Sequence, residues 1–217
     1  MAKREDGKET RLRLLNAACE IFAQKGYRNA KVEEICRRAG ANVAAVNYHF
    51  KDKASLYAET WQYTFERFKE PVFAELEGGS AQDQLRSFIL MLMKNFNQKG
   101  ERGYFSRLYL MEMANPTGLI QEAWRESIAP RRRKLHEMIR KLIGSDASDQ
   151  RVAFCELSIV SQCRTLLTIK DNDLAYLLGE PVGPGLLGRL ADHIADFSLA
   201  GVKAVGRKRH DSDSKTY

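Results

Sequence analysis

Residues 31–50 read KVEEICRRAGANVAAVNYHF and form two short helical patterns on either side of a tight turn. Gly40 ends the first pattern, and Asn42 stands at the N-cap position of the second. The apolar positions that we expect to pack both helices onto the helix before them are Ile35, Cys36, Ala39, Val43 and Val46. Two short helices joined in this way are typical of a helix-turn-helix, whose second helix enters the major groove of DNA.

The other face of the second helix is expected to meet the DNA. The amide of Asn47 can pair with the N6 and N7 edge of adenine, and Tyr48 and His49 can donate hydrogen bonds to phosphate oxygens. Lys53 begins the next helix, where its ammonium group and the free backbone N–H groups can bind a phosphate. The expected DNA contacts are Lys31, Asn42, Val43, Ala44, Ala45, Asn47, Tyr48, His49, Lys51 and Lys53. Residues 8–13 are expected to contact the DNA backbone on the flanks of these positions.

The rest of the chain has apolar residues at helical spacing, and no segment alternates as a strand does. Gly26 is expected to end the first helix, Asp52 to cap the fourth, and Ser80-x-x-Asp83 to open the fifth. Pro130 either kinks the seventh helix or starts a second segment there. The sequence therefore predicts an all-α fold of about nine helices, with an N-terminal three-helix head followed by a helical body.

The last two predicted helices, 152–169 and 186–202, are apolar or small nearly all round. In a chain of this size such helices indicate a homodimer, in which they and their copies form a four-helix bundle. Burial of both helices within one protomer is the alternative. We predict a DNA-binding domain at residues 1–53, a dimerisation domain at 54–205, and a disordered basic tail at 206–217.

Positive charge is concentrated at the two ends of this 217-residue chain, which has a net charge of +7. Residues 1–53 hold twelve Lys or Arg against seven Asp or Glu, and residues 203–217 hold five against two. The N-terminal excess favours an anionic partner such as DNA, whereas a solvated tail explains the C-terminal excess equally well. A composition of 44% hydrophobic and 29% charged residues is that of a soluble globular protein.

No motif for catalysis or metal binding is present, neither a Gly-rich phosphate loop nor Gly-x-Ser-x-Gly nor His-Glu-x-x-His. We therefore expect no enzymatic activity, no cofactor and no metal. The start of the chain lacks the apolar region of a signal peptide, so a cytoplasmic protein without a membrane partner is expected. Cys19, Cys36, Cys155 and Cys163 fall on apolar stripes and are expected to be buried, reduced thiols. Cys155 and Cys163 share a helical face, which leaves a thiol sensor open.

The motifs Gly26-Tyr27, Val32-x-x-Ile35, Ala39-Gly40 and His49-Phe50-x-x-Lys53-x-x-Leu56 resemble the N-terminal signature of the TetR family of transcriptional regulators. The resemblance covers about residues 10–57. It implies an all-helical dimer with a DNA-binding head and a body, residues 54–205, that serves both effector binding and dimerisation; in such proteins ligand binding releases the DNA. It also implies phosphate contacts for His49 and Lys53.

Segments 42–50, 112–117 and 158–163 are similar to blocks of the CecR-like branch of that family. This similarity implies a regulator of export or stress genes with a small apolar or amphipathic effector. The head departs from the family pattern at Ala30-Lys31, Ala41-Asn42 and Asn47, where the family usually has Thr, Val-Ser and Tyr. These departures concern the base-reading positions more than the phosphate contacts.

The effector is expected to bind inside the body, between helices four and eight. The candidate lining residues are Trp61, Phe65, Phe96, Arg107, Met111, Trp124, Gln162 and Thr165. For the aromatic members a plain core role is the alternative. For Arg107 and for Glu112, a further candidate, the alternative is that they pair with each other or with solvent. Gln162 must find hydrogen-bond partners in a ligand, the other subunit or the backbone.

These observations predict a repressor that an effector releases from a palindromic operator in double-stranded DNA. An activator of the same architecture is one alternative. Another is a helical adaptor that binds proteins or membrane surfaces without specific DNA binding.

Overall fold

The computed structural model describes the backbone of residues 2–68 and 78–212 and the side chains of residues 7–66 and 78–206. Within these ranges the chain forms ten α-helices and no strand, which confirms the all-α prediction with one helix more than expected. The helices are α1 (Ala2–Asn29), α2 (Val32–Ala39), α3 (Val43–Phe50), α4 (Lys53–Phe68), α5 (Ala81–Phe96), α6 (Tyr104–Ala114), α7 (Gln121–Ile143), α8 (Asp149–Thr168), α9 (Asp171–Leu178) and α10 (Pro184–Ser212), and a 3₁₀ turn spans Gly100–Gly103.

The helix caps predicted at Gly40, Asn42 and Ser80 are confirmed. Gly40 ends α2 in the left-handed conformation, with φ of 62°. Asn42 caps α3 because its side chain accepts a hydrogen bond from the Ala45 N–H at 2.9 Å. Ser80 and Asp83 exchange hydrogen bonds between side chain and backbone, and this capping box opens α5.

Pro130 lies inside α7, so of its two alternatives the start of a separate helix is wrong. The structure differs from the sequence-based expectations at three places. Gly26 interrupts α1, but the helix continues to Asn29. Helix α9 was not predicted, because it is only eight residues long and the glycines and prolines at 179–184 that follow it indicate a loop; it buries only Leu174. The backbone of residues 206–212 continues α10 where we expected a disordered tail; the remainder of that tail, 213–217, lies outside the described residues.

The chain divides into two compact units. The first consists of Met1–Lys69 and Gln98–Ser127, so that α4 and α6 pack with the three N-terminal helices. The second consists of Glu70–Asn97 and Ile128–Tyr217, and its core lies between α5, α7, α8 and α10. This grouping does not follow the predicted boundary at residue 53, so the division by function stays a proposal.

All four cysteines are buried and free. Burial raises the pKa of the Cys155 thiol, and it raises the pKa of Cys163 to about 12. Only the thiolate reacts readily with oxidants, and a raised pKa keeps the thiol protonated. Both cysteines therefore have the environment of structural residues, which disfavours the thiol-sensor alternative.

Candidate nucleic-acid interface

Helix α3 is anchored by its middle and its end. Val46 and Phe50 are buried, as are Ile35 and Cys36 on α2. Val43 is 41% exposed, so the prediction that it packs onto the first helix is wrong. Val43 is the first residue of α3, which is only eight residues long and buries its later positions, so the first turn remains at the surface.

The opposite face of α3 is open to solvent. Tyr48 is 84% exposed, an unusual position for a large aromatic side chain. Of the ten expected DNA contacts, seven are exposed: Lys31, Asn42, Val43, Ala44, Asn47, Tyr48 and Lys51. The other three, Ala45, His49 and Lys53, are half-buried. The backbone therefore presents the expected contact residues of α3 together, on one short helix with a buried underside.

The turn between α3 and α4 has an uncommon backbone. Lys51 has φ of 74°, and it is the one non-glycine residue with a positive φ in the described parts of the chain. Its N–H donates to the carbonyl of Asn47 and so closes the end of α3. Asp52 then caps α4, because its Oδ1 accepts a hydrogen bond from the Ser55 N–H at 2.7 Å. The hydrogen bonds from Ser55 lower the pKa of Asp52 and keep this cap ionised.

Lys53 is held by an aromatic ring. Its Nζ lies 4.6 Å from the ring centroid of Tyr27, which is a cation–π distance. Burial lowers the pKa of Lys53, while the charge of Glu33 acts in the opposite direction. The ammonium group is thus half-buried and oriented by Tyr27 at the N-terminus of α4.

Arg11, in the segment expected to touch the DNA backbone, binds within the protein. Its guanidinium group pairs with Glu59 and lies 5.0 Å from the ring centroid of Phe50. Arg11 therefore joins α1 to α3 and α4. Near it, His49 packs against the rings of Tyr48 and Phe50 at centroid distances of 4.9 Å and 6.2 Å.

Five of the eight candidate effector residues lie in the first unit. Trp61 and Phe65 are buried, and both rings pack against Phe105. The ring centroids are 5.0 Å apart for Trp61 and Phe105 and 5.1 Å apart for Phe65 and Phe105. Trp124 stacks on Tyr109 with a centroid distance of 6.4 Å. The indole Nε1 of Trp61 is buried with no hydrogen-bond partner in the described structure. Such a donor is uncommon inside a protein and is a candidate contact for a ligand acceptor.

The other two candidates of the first unit are placed differently. Arg107 donates to the carbonyl of Gly100 at 2.8 Å and lies over the ring of Tyr104, so the alternative that it pairs with Glu112 is wrong. Met111 is at the surface, 36% exposed. Glu112 instead binds Tyr57 and Thr117.

Three candidates lie in the second unit. Gln162 donates to the carbonyl of Ser158 at 3.1 Å and to Oγ of Ser198 at 3.4 Å. The backbone and a neighbouring helix therefore supply partners for the amide nitrogen without a ligand. Phe96 packs at the edge of the core, and Thr165 is half-buried.

A cavity of about 310 Å³ lies between α1, α2 and the start of α6 in the first unit. Its lining includes Arg13, Glu20, Arg38, Glu101 and Tyr104. None of the eight candidate effector residues borders this cavity, so it is distinct from the effector site predicted from sequence.

Comparison with known proteins identifies the family. Residues 81–202 match the model of the C-terminal domain of the HTH-type transcriptional dual regulator CecR, and residues 14–60 match that of the bacterial regulatory proteins of the TetR family. The chain belongs to the TetR family, in its CecR branch. The resemblance that was seen in the sequence is thereby confirmed.

Two related regulators and one solved structure of similar fold extend the comparison. The chain is 29% identical to the dual regulator CecR of Shigella flexneri over 67% of its own length and 70% of that protein. It is 36% identical to the regulator AcrR of the same organism, but the match spans only 27% of each protein. FadR of Bacillus subtilis, solved in complex with stearoyl-CoA, has a TM-score of 0.66 at 16% identity and covers 88% of this chain and 98% of its own.

The chain is therefore a DNA-binding transcriptional regulator, and the proteins that it matches are regulators and not enzymes. In the described parts, no group of three or more His, Cys, Asp or Glu residues is arranged to hold a metal. There too, no single helix is long and apolar enough to span a membrane; α8 and α9 together meet that test, with a bend of 113° between them.

Proposed function

We propose that the protein is a homodimeric repressor whose α3 helices read a pseudo-palindromic operator and which a small apolar or amphipathic effector releases. The main support is the open face of α3, where Asn47 and Tyr48 are exposed above buried Val46 and Phe50. In this proposal Asn47 reads a base edge, and Tyr48, His49, Lys51 and Lys53 bind phosphates. Binding of this kind weakens steeply with salt.

The C-terminal helices support dimerisation. Each has one side in the core of the second unit and large apolar side chains on the surface. Phe154 and Leu157 on α8 are 59% and 57% exposed, and Phe197 on α10 is 64% exposed. Because exposed apolar residues at this density mark interaction surfaces, we assign this surface to the second copy of the chain. Two α3 helices would then face successive major grooves, roughly 34 Å apart.

The proposed effector contacts are Trp61, Phe65 and Trp124, which the structure joins through Phe105 and Tyr109. Aromatic rings with one unpaired N–H suit a mostly apolar molecule that has a hydrogen-bond acceptor. FadR, which shares the fold, binds stearoyl-CoA, and this supports an amphipathic effector. The effector would act by binding better to one arrangement of the heads than to the other.

We expect Asn47→Ala to change sequence preference rather than affinity alone. Losing a bidentate contact to a base removes about 1–3 kcal/mol of discrimination at one position of each half-site. The measurement is the affinity for operator variants with single base changes. Lys51→Ala is the matched control, because a lost phosphate contact should weaken binding to all variants by the same factor. Unchanged relative affinities in Asn47→Ala would remove Asn47 from base recognition.

Repression and activation are separated by expression of a reporter gene from the bound promoter. We expect deletion of the gene for this protein to raise reporter expression. A fall in expression would identify an activator of the same architecture.

A further inference from the structure

A buried hydrogen bond joins α4 to the end of α6 within the first unit. The Tyr57 hydroxyl donates to Oε2 of Glu112 at 3.0 Å, and Tyr57 is almost fully buried. Burial raises the pKa of Tyr57, and the charge of Glu112 raises it further, so the hydroxyl keeps its proton and remains a donor at neutral pH. Because the carboxylate of Glu112 is half-buried, each hydrogen bond that it accepts helps to hold the side chain in place.

The turn after α6 holds the same carboxylate from the other side. The backbone N–H of Thr117 donates to Oε1 of Glu112 at 2.8 Å, and the Thr117 hydroxyl donates to it at 2.9 Å. This turn also binds the end of α1, because Arg28 donates to the side chain of Asn115 at 2.6 Å. Glu112 is thereby fixed to the segment that contacts both α1 and α4.

Tyr57 is also connected through Tyr27 to Lys53, which is one of the proposed DNA contacts. The Tyr57 ring lies 5.1 Å from the ring of Tyr27, and the Tyr27 ring lies 4.6 Å from Nζ of Lys53. Phe22 packs edge-on against Tyr57 at 4.9 Å and limits its movement. The contacts therefore form a continuous series from Glu112 through Tyr57 and Tyr27 to Lys53.

We propose that Glu112 is a positioning residue for DNA binding, which acts through Tyr57 and Tyr27 to place the ammonium group of Lys53 against a phosphate. The inference rests on the proposed function, because it presupposes that Lys53 contacts DNA. It also explains how movement at the end of α6 would alter DNA affinity with no direct contact to α3.

The test is a double-mutant cycle of Tyr57→Phe and Lys53→Ala, measured as the affinity for an operator duplex at several salt concentrations. Tyr57→Phe removes only the hydroxyl and keeps the ring. We expect it to weaken binding by about 2- to 10-fold, the usual effect of one hydrogen bond. Lys53→Ala should lower the slope of log affinity against log salt by about 0.9, which is one phosphate contact. With Lys53→Ala in place, Tyr57→Phe should have no further effect.

Tyr63→Phe is the matched control. Tyr63 is on the same helix, and its hydroxyl donates to Asn16 on α1 at 3.0 Å. Removing this hydroxyl should leave affinity and salt slope unchanged. Glu112→Gln, which loses the charge and one acceptor oxygen, should reproduce Tyr57→Phe and serves in its place if that variant does not fold.

An equal loss of affinity from Tyr57→Phe with and without Lys53 would overturn the inference, because the hydroxyl would then act by another route. So would an unchanged affinity of both Tyr57→Phe and Glu112→Gln in the presence of Lys53. If the wild-type protein bound no duplex specifically, the proposed function would fail first, so the two failures are distinguishable.

Discussion

Phe197→Asp is expected to convert the proposed dimer into a monomer and to abolish tight operator binding. Phe197 is a large exposed apolar residue on α10, and a carboxylate there would be buried unpaired against the second copy. Two linked heads bind two half-sites with an avidity that exceeds single-site affinity by about 10²–10⁴-fold, and the monomer loses this gain. Sedimentation equilibrium gives the mass of the assembly, and fluorescence anisotropy gives the affinity.

The control for this substitution is Leu90→Asp. Leu90 is also exposed, but it lies on α5, outside the proposed dimer surface. We expect this variant to remain dimeric and to bind the operator as the wild type does. A dimeric Phe197→Asp with full affinity would show that α10 does not form the interface at this residue.

Gly26→Ala is expected to destabilise the protein by about 1–3 kcal/mol, because of its backbone conformation. Gly26 has φ of 70° and ψ of 171°, a combination that is open essentially to glycine alone. Space is not the cause, since an added Cβ would lie 3.8 Å from the sulfur of Met111, an ordinary contact. The strain would lie next to Tyr27, whose ring contacts the ammonium group of Lys53. We therefore also expect weaker DNA binding.

Urea unfolding at a fixed protein concentration measures this effect, and Gly188→Ala is the control. Gly188 lies inside α10, and an added Cβ there would meet nothing within 4 Å. Alanine in a helix interior is expected to stabilise by about 0.5–1 kcal/mol, so the same substitution should have opposite signs at the two sites. A loss of stability at Gly188 equal to that at Gly26 would contradict the conformational explanation.

Local signals made several helix ends predictable from sequence. The caps at Gly40, Asn42 and Ser80 form between residues about three positions apart in the sequence, so they do not depend on the rest of the fold. Val43 was misplaced because periodicity tells which face a residue is on but not how far along a short helix the core extends. Helix α9 was missed because it is short and the glycines and prolines that follow it indicate a loop.

Side-chain partners far apart in sequence could not be predicted. Glu112 is 55 residues from Tyr57, and nothing in its own neighbourhood distinguishes this partner from Arg107, five positions away. Tyr27 and Lys53 were both present in the family signature, but only the fold places the ammonium group over the ring. For Gln162 the need for a partner was evident from its apolar helix, whereas the identity of Ser198 required the packing of α8 on α10.

Selection of bound duplexes from a random DNA pool tests the central claim most directly, because the operator sequence emerges from the selection itself. If two α3 helices read successive major grooves, the enriched sequences should contain two inverted half-sites with centres about 10 base pairs, or one helical turn, apart. Enrichment of no sequence, or of a single half-site without its inverted copy, would contradict the account.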